Sequence, residues 1–173
     1  MIFDTHAHYM DERFVEDREA LLASLRDAGV GNVVEVGASI QSTKDAVALS
    51  RKHDFVYSAV GVHPDGVPEM TDETIEWLKG LTGEPKVVAI GEIGLDYYYD
   101  EPDRELQKKW FICQLEAAKE TKMPVIIHSR DAAQDTLQIM DEHCDWSQGD
   151  RSHHIHTMET LHLLWLQKSI STL

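Results

Sequence analysis

The stretch of this chain whose residue types and spacing most directly suggest chemistry is Asp4-Thr5-His6-Ala7-His8. On an extended backbone the period of two puts Asp4, His6 and His8 on one side. Two imidazoles so placed can grip one divalent ion. Further along, a histidine or a carboxylate closes one apolar run after another: His63 follows Gly61-Val62, Glu92 follows Val87-Val88-Ala89-Ile90-Gly91, and His128 follows Val125-Ile126-Ile127. Imidazole nitrogens and carboxylate oxygens together suit zinc, manganese or magnesium, with imidazole favouring the first two. A glutamate can bridge two ions with its two oxygens, so His6, His8, Glu92 and His128 can seed a centre of one or two metals. Such a centre lowers the pKa of a bound water to about 7 and clamps the oxygens of a transferring phosphate. Asp4 and Asp96 are placed to hold imidazole tautomers from behind. Arg130 offers a forked donor for a phosphate oxygen, and His63 can point into the same mouth.

Each residue also has a plainer role open to it. Glu92 could cap a helix start, His128 could bond a loop, and Arg130 could pair with Asp131 or Glu92. His53 and His143 fall late in helical stretches, where a cation favours the dipole, and read as structural. Tyr97, Tyr98 and Tyr99 read as packing and rim residues, on one of which a base could stack.

The elements that must position these groups alternate regularly. Met1-Ile2-Phe3 leads a first strand. Leu21, Leu22, Leu25 and Ala28 form a helical stripe within 15–28 that Gly29 and Gly31 close. Asn32–Gly37 is a buried strand, and Ser42 or Thr43 caps a second helix to about Lys52. Phe55–Val62 is a third strand, and Thr71-Asp72-Glu73 opens a third helix. Lys86–Gly91 is a fourth strand running straight into Glu92–Tyr98. Pro102–Glu105 starts a long fourth helix to about Thr121. Met123–His128 is a fifth strand and 130–143 a fifth helix. Strand-then-helix units with near-continuous apolar strands mean a parallel sheet covered by helices, an α/β fold. An open doubly wound sheet and a closed (β/α) barrel both fit. Polar residues at the carboxyl end of nearly every strand suit a barrel mouth better than a single crevice.

The chain has 173 residues, 42% hydrophobic and 27% charged, the composition of one soluble globular domain. Its formal net charge of −15 argues against a broad basic surface that holds nucleic acid. It leaves room for an enzyme that meets phosphates through bound cations and one or two local basic groups. Two cysteines, Cys113 and Cys144, suggest no disulfide framework. Neither a charged-then-apolar leader nor an apolar run of about 18 residues occurs, so the expected location is cytoplasmic, away from membranes.

Taken together, Asp4–His8, Gly61-Val62-His63-Pro64, Gly91-Glu92-Ile93-Gly94-Leu95-Asp96-Tyr97-Tyr98 and His128-Ser129-Arg130-Asp131-Ala132 resemble the TatD family of metal-dependent deoxyribonucleases. The glutamate block is the most specific of the four motifs and the His-x-His pair the least. The resemblance spans roughly Met1 to His143. It implies a barrel of the metallo-dependent hydrolase type and hydrolysis of DNA phosphodiester bonds, often from an end, with two divalent ions. Carried over by position, His6 and His8 would hold one ion, Glu92 would bridge it to a second and act in catalysis, and His128 would hold that second ion. His63 and Arg130 would face substrate. Ile155-His156-Thr157 would end the sixth strand and make His156 the remaining ligand, with His153 and His154 competing for the role.

The family pattern continues with further strands and a late aspartate that do not occur here. The expectation is a partial barrel domain over 1–157, about five to six of eight units, and an atypical tail over 158–173. A change of reading frame near Thr157 would account for the tail, and sequencing the coding DNA past the stop tests it. An incomplete barrel leaves edges whose unpaired backbone invites pairing with another chain, and activity is expected to be impaired. Two other readings stand beside the deoxyribonuclease: an amidohydrolase-type enzyme of the same barrel class on a small substrate, and an inactive metal-binding fragment.

Overall fold

The apolar runs become strands and the amphipathic stretches between them become helices. In the computed structural model, which describes residues 1–144 and the backbone of 154–157, the strands are β1 (Ile2–Ala7), β2 (Val30–Val36), β3 (Val56–Val60), β4 (Val87–Asp96), β5 (Val125–Arg130) and β6 (His154–Thr157). The helices are α1 (Arg18–Asp27), α2 (Ile40–Lys52), α3 (Asp72–Leu81), α4 (Arg104–Thr121) and α5 (Ala133–His143). All five neighbouring pairs are parallel, and the sheet order follows the chain from β1 to β6. A doubly wound sheet reverses its order at a switch point. This one never does, so the described strands form part of a (β/α) barrel. No helix among the described residues is long and apolar enough to cross a membrane.

The outer face of the sheet carries the main core. Ile90, Ile93 and Leu95 from β4 and Ile127 from β5 pack with Leu78 of α3 and with Trp110, Phe111 and Leu115 of α4. The inner face holds a smaller apolar layer of Val34, Val36, Ala59, Ala89 and Ile126. Beneath it a cavity of about 220 Å³ is lined by Phe3, Thr5, Val34, Val88 and Ile126 among others.

Three helix starts differ from the sequence expectation; α5, read from residue 130, begins at Ala133 because Arg130 still belongs to β5. Ser39, not Ser42 or Thr43, caps α2: its hydroxyl accepts from the Ser42 amide at 3.0 Å, and Ser42 returns the bond to the Ser39 amide at 2.8 Å. Thr43 instead turns inward and donates to the Gly61 carbonyl at 2.8 Å. The first helix begins at Arg18 rather than near Val15, after a short 3-10 turn at Glu12–Phe14. The tail over 158–173 lies outside the described residues.

Candidate metal centre

His6, Glu92, His128 and Arg130 lie in the carboxyl-terminal halves of β1, β4 and β5, and His8 and His63 lie just beyond β1 and β3. The amino-terminal pair arrives there by an irregularity. Phe3 and Thr5 line the inner cavity, while Ala7 packs on the outer side with Leu22 and Val33. Strict alternation therefore fails between Thr5 and Ala7, where the β1–β2 register also shifts. A bulge of this kind re-aims side chains. Here it brings His6 and His8 round to Glu92, and Asp4 Oδ1 accepts from the His6 amide at 3.2 Å. Alternation alone had placed Asp4, His6 and His8 in one row, and the shift is the physical reason that this simple row does not hold.

His6 Nε2 and His8 Nε2 stand 3.0 Å apart, and Glu92 Oε2 lies 3.3 Å from the first and 3.6 Å from the second. The Val36 carbonyl, which can only accept, lies 3.0 Å from His8 Nδ1. That nitrogen therefore carries a proton, and Nε2 is the one turned to the cluster. Hydrogen bonding to Glu92 raises the His8 pKa against the opposing effect of burial.

The other half of the site is buried. His128 Nδ1 is 3.0 Å from Glu92 Oε1 and His128 Nε2 is 3.0 Å from Asp96 Oδ2. Burial works to lower the His128 pKa, but the bonds and charges of Glu92 and Asp96 outweigh it and raise it. Burial likewise favours a neutral Glu92, yet hydrogen bonds from His128, His6 and His8 hold its carboxyl far below the ordinary range. His63 lies with its ring centroid 4.2 Å from that of His128, and burial, then the charge of His128, lowers its pKa.

The donor set fits divalent metal. Ligand atoms about 2.1 Å from a zinc-like ion stand roughly 3–3.5 Å apart. The His6, His8 and Glu92 donors already stand at 3.0–3.6 Å. A second group of His63, Glu92 and His128 has donor atoms within 4.8 Å of one another, so Glu92 belongs to both. The sequence put His63 on the substrate side, whereas the structure gathers it with potential ligands. His156 pairs with His128 in the β5–β6 register; its side chain, that of His154, and all of His153 lie outside the described residues.

Arg130 does not pair with Asp131 or Glu92. Its guanidinium carbon lies 3.6 Å from the Tyr98 ring centroid, and no ion pair engages it among the described residues.

Several positioning groups were not picked out from sequence. Glu35, 1% exposed, accepts from the Tyr9 amide at 2.8 Å and the Met10 amide at 2.9 Å. Arg18 donates to the Tyr9 carbonyl at 2.7 Å and the Met10 carbonyl at 3.2 Å. The segment after His8 is thus gripped by its donors and its acceptors at once. From α4, Gln107 bonds both the amide and the carbonyl of Asp96, at 2.9 Å each. One helical face further, Gln114 does the same for Val62, at 2.8 and 3.0 Å. The available signals were a glutamate inside the valine run 33–36 and two glutamines seven residues apart on an apolar helix face. Gly94, at φ +147°, is the close approach of β4 to β5: a Cβ there would collide with the His128 carbonyl oxygen.

Comparison with known proteins agrees with this geometry. A family model described as "TatD related DNase" matches residues 3–165. The "Uncharacterized metal-dependent hydrolase YabD" of Bacillus subtilis is 40% identical over 142 residues, which is 82% of this chain and 56% of that protein. The "3'-5' ssDNA/RNA exonuclease TatD" of Cronobacter sakazakii is 35% identical over 144 residues, 83% of this chain and 55% of the other. Among solved structures, YjjV, a TatD homolog from Escherichia coli K12, has a TM-score of 0.76 at 33% identity and covers 82% of this chain and 56% of its own. The chain spans about half the length of the curated relatives it matches. With a family model over most of its length and this cluster at its strand ends, the chain belongs to the TatD-related DNase family.

Proposed function

We propose that this chain carries the metal-binding part of a hydrolase that cleaves phosphodiester bonds in nucleic acid, DNA in the first instance, with two divalent ions of magnesium, manganese or zinc. The observation that carries the reading is Glu92, whose Oε1 faces His128 Nδ1 at 3.0 Å while its Oε2 faces His6 Nε2 at 3.3 Å. One carboxylate thereby serves two imidazole groups, the arrangement that bridges two ions. His6 and His8 are assigned to one ion and His128 to the other, with His63 and His156 as the residues to test for the remaining position. When bound, such ions supply Lewis-acid activation of water and neutralise charge on the phosphate.

The chain's own residues account for the rest. Asp96 fixes the His128 ring through Nε2 and leaves Nδ1 turned to Glu92. Glu92 stays ionised across the neutral range because three imidazoles surround it. Arg130, held by an aromatic face rather than a carboxylate, keeps its N–H edges for a phosphate oxygen.

Metal content of the purified full chain, measured beside cleavage of end-labelled single-stranded DNA with each ion, tests the proposal. Bound metal and cleavage are both expected, and Glu92→Ala should remove both. The loss of affinity should exceed the roughly 10–100-fold that removal of an outer partner costs. Unchanged metal binding in Glu92→Ala breaks the reading. Metal binding with no cleavage reduces the chain to a metal-binding protein, and hydrolysis of amides instead of DNA makes it an amidohydrolase.

A further inference from the structure

Two glutamines sit where an apolar helix face has least use for an amide. Gln107 and Gln114 of α4 are 0% and 1% exposed. Two helical turns apart, they share the face that carries Trp110, Phe111 and Leu115 into the main core. Filling that space needs only apolar side chains, and a buried amide costs free energy unless it is bonded. Both glutamines are bonded, and to main chain. Gln107 Oε1 accepts from the Asp96 amide at 2.9 Å, while its Nε2 donates to the carbonyls of Asp96 at 2.9 Å and Pro102 at 2.8 Å. Gln114 Oε1 accepts from the Val62 amide at 2.8 Å, and its Nε2 donates to the Val62 carbonyl at 3.0 Å.

These are the bonds that a neighbouring strand would offer. Asp96 is the last residue of β4 and Val62 lies two beyond β3. Buried main-chain groups at such ends still require partners, and a glutamine supplies an acceptor and a donor from one planar group. What each glutamine holds is one covalent step from the metal centre. Asp96 Oδ2 stands 3.0 Å from His128 Nε2, and the opposite ring nitrogen faces Glu92. Val62 leads directly into His63, whose ring centroid is 4.2 Å from that of His128. Its neighbours answer to other elements: Thr43 of α2 donates to the Gly61 carbonyl at 2.8 Å, and the His63 amide donates to the Ala38 carbonyl at 3.0 Å. Within this run, Val62 is the link fastened to α4.

We propose that Gln107 and Gln114 are positioning residues for the His63–His128 half of the metal centre. Acting through Asp96 and Val62, they set how the two imidazoles stand toward Glu92, and so how tightly that half takes a divalent ion. This rests on the two-ion reading above and extends the support of the site to a helix that carries none of its assigned ligands.

The test is manganese titration of the full chain by calorimetry, after removal of metal with a chelator. Gln107→Met and Gln114→Met keep the length of the side chain and lose its amide. Each should weaken by about tenfold the same binding step that Asp96→Asn weakens, and leave the other step alone. Gln107→Glu should recover much of the affinity, because burial keeps the acid protonated and able both to accept and to donate. Lys86→Met is the control for stability alone. Lys86 Nζ donates to the carbonyls of Ser50, His53 and Val56 at 2.9, 2.6 and 3.2 Å, at the opposite end of β4 from Asp96. Its loss should lower the melting temperature and change neither affinity. Unchanged manganese affinity in both glutamine variants, or an equal loss in Lys86→Met, overturns the proposal. Gln107→Asn and Gln114→Asn, which keep an amide but shorten its reach, carry the same comparison where methionine prevents folding. A wild type that binds no manganese removes the two-ion reading instead. The ring-nitrogen NMR signals of His128 in metal-free protein then decide the positioning role. A change in Gln107→Met sustains it, and signals identical to wild type overturn it.

Discussion

The two histidine groups that meet at Glu92 are built in opposite ways. His8 stands at an exposed corner, its side chain 41% exposed, on the segment that follows β1, the first strand. His128 lies between two neighbours in β5, its side chain 10% exposed and a carboxylate against each ring nitrogen. The exposed half is held from outside, by Glu35 and Arg18 clasping the chain after His8. The buried half is held from within, by strand register, a glycine contact and Asp96. The difference teaches that one metal-binding centre can draw its geometry from two sources, and that mutations should separate them.

Gly94→Ala should produce the largest effect and confine it to the buried half. The side chain would demand a left-handed conformation and strike the His128 carbonyl, at a cost of about 3 kcal/mol. Chemical denaturation measures this, with Gly80→Ala as the control. Gly80 lies in α3 with open space around it, and there alanine should stabilise by about 1 kcal/mol. Equal effects at the two glycines would erase the proposed contrast.

A paired experiment sharpens the comparison further. Asp96→Asn should weaken ion binding at the His128 side by roughly 10–100-fold, and Glu35→Val should weaken it at the His6–His8 side by about tenfold through loss of two amide partners. Glu35→Gln, which retains one acceptor, should recover part of that loss. Two-site manganese titration by calorimetry distinguishes the sides. If both substitutions weaken the same site, the two sources of support are not separate.

The smallest effect is on pH dependence. His8 and His128 have pKa values raised above the usual 6.5. In metal-free protein their contribution to stability is complete below 6.5 and is lost as pH rises through the raised values. His63, with a lowered value, works in the other direction, its contribution being lost as pH falls below 6.5. Glu92, with a lowered value, contributes in full above the ordinary carboxylate value of 4.5 and loses its share progressively as pH falls below it. An ion requires neutral imidazoles, so the increase in melting temperature on adding manganese should grow as pH rises above 6.5. An increment that shrinks over that range would place the ion elsewhere.

Much of this architecture was legible because parallel strands leave a simple signature. Valine and isoleucine runs such as 87–90 and 125–127, each followed by a helical stripe, give the order of elements directly. Polar residues at their ends mark the shared rim, and that brought His6, His8, Glu92 and His128 together on paper. The register shift in β1 was not legible, because Thr5 and Ala7 differ too little in polarity to show which faces inward. Glu35 was hidden for a related reason: inside a valine run, a carboxylate bonded to main-chain amides looks the same as one at a strand edge. Gln107 and Gln114 were masked by the apolar stripe they share with Trp110 and Phe111, since neither periodicity nor composition says which backbone an amide will reach. Arg130 was read as the start of a helix, yet it ends β5, and its partner, the Tyr98 ring, depended on the fold.

Those two glutamines have a consequence for how the mouth moves. Val62 and Asp96 belong to different neighbourhoods of the sheet, yet each main-chain unit is tied to the same helix, two turns apart. A rigid rod fastened to both makes the approach to His63 and the support behind His128 travel as one piece. Any displacement of α4 would therefore be felt at Val62 and at Asp96 together, as at a jaw on a single hinge pin.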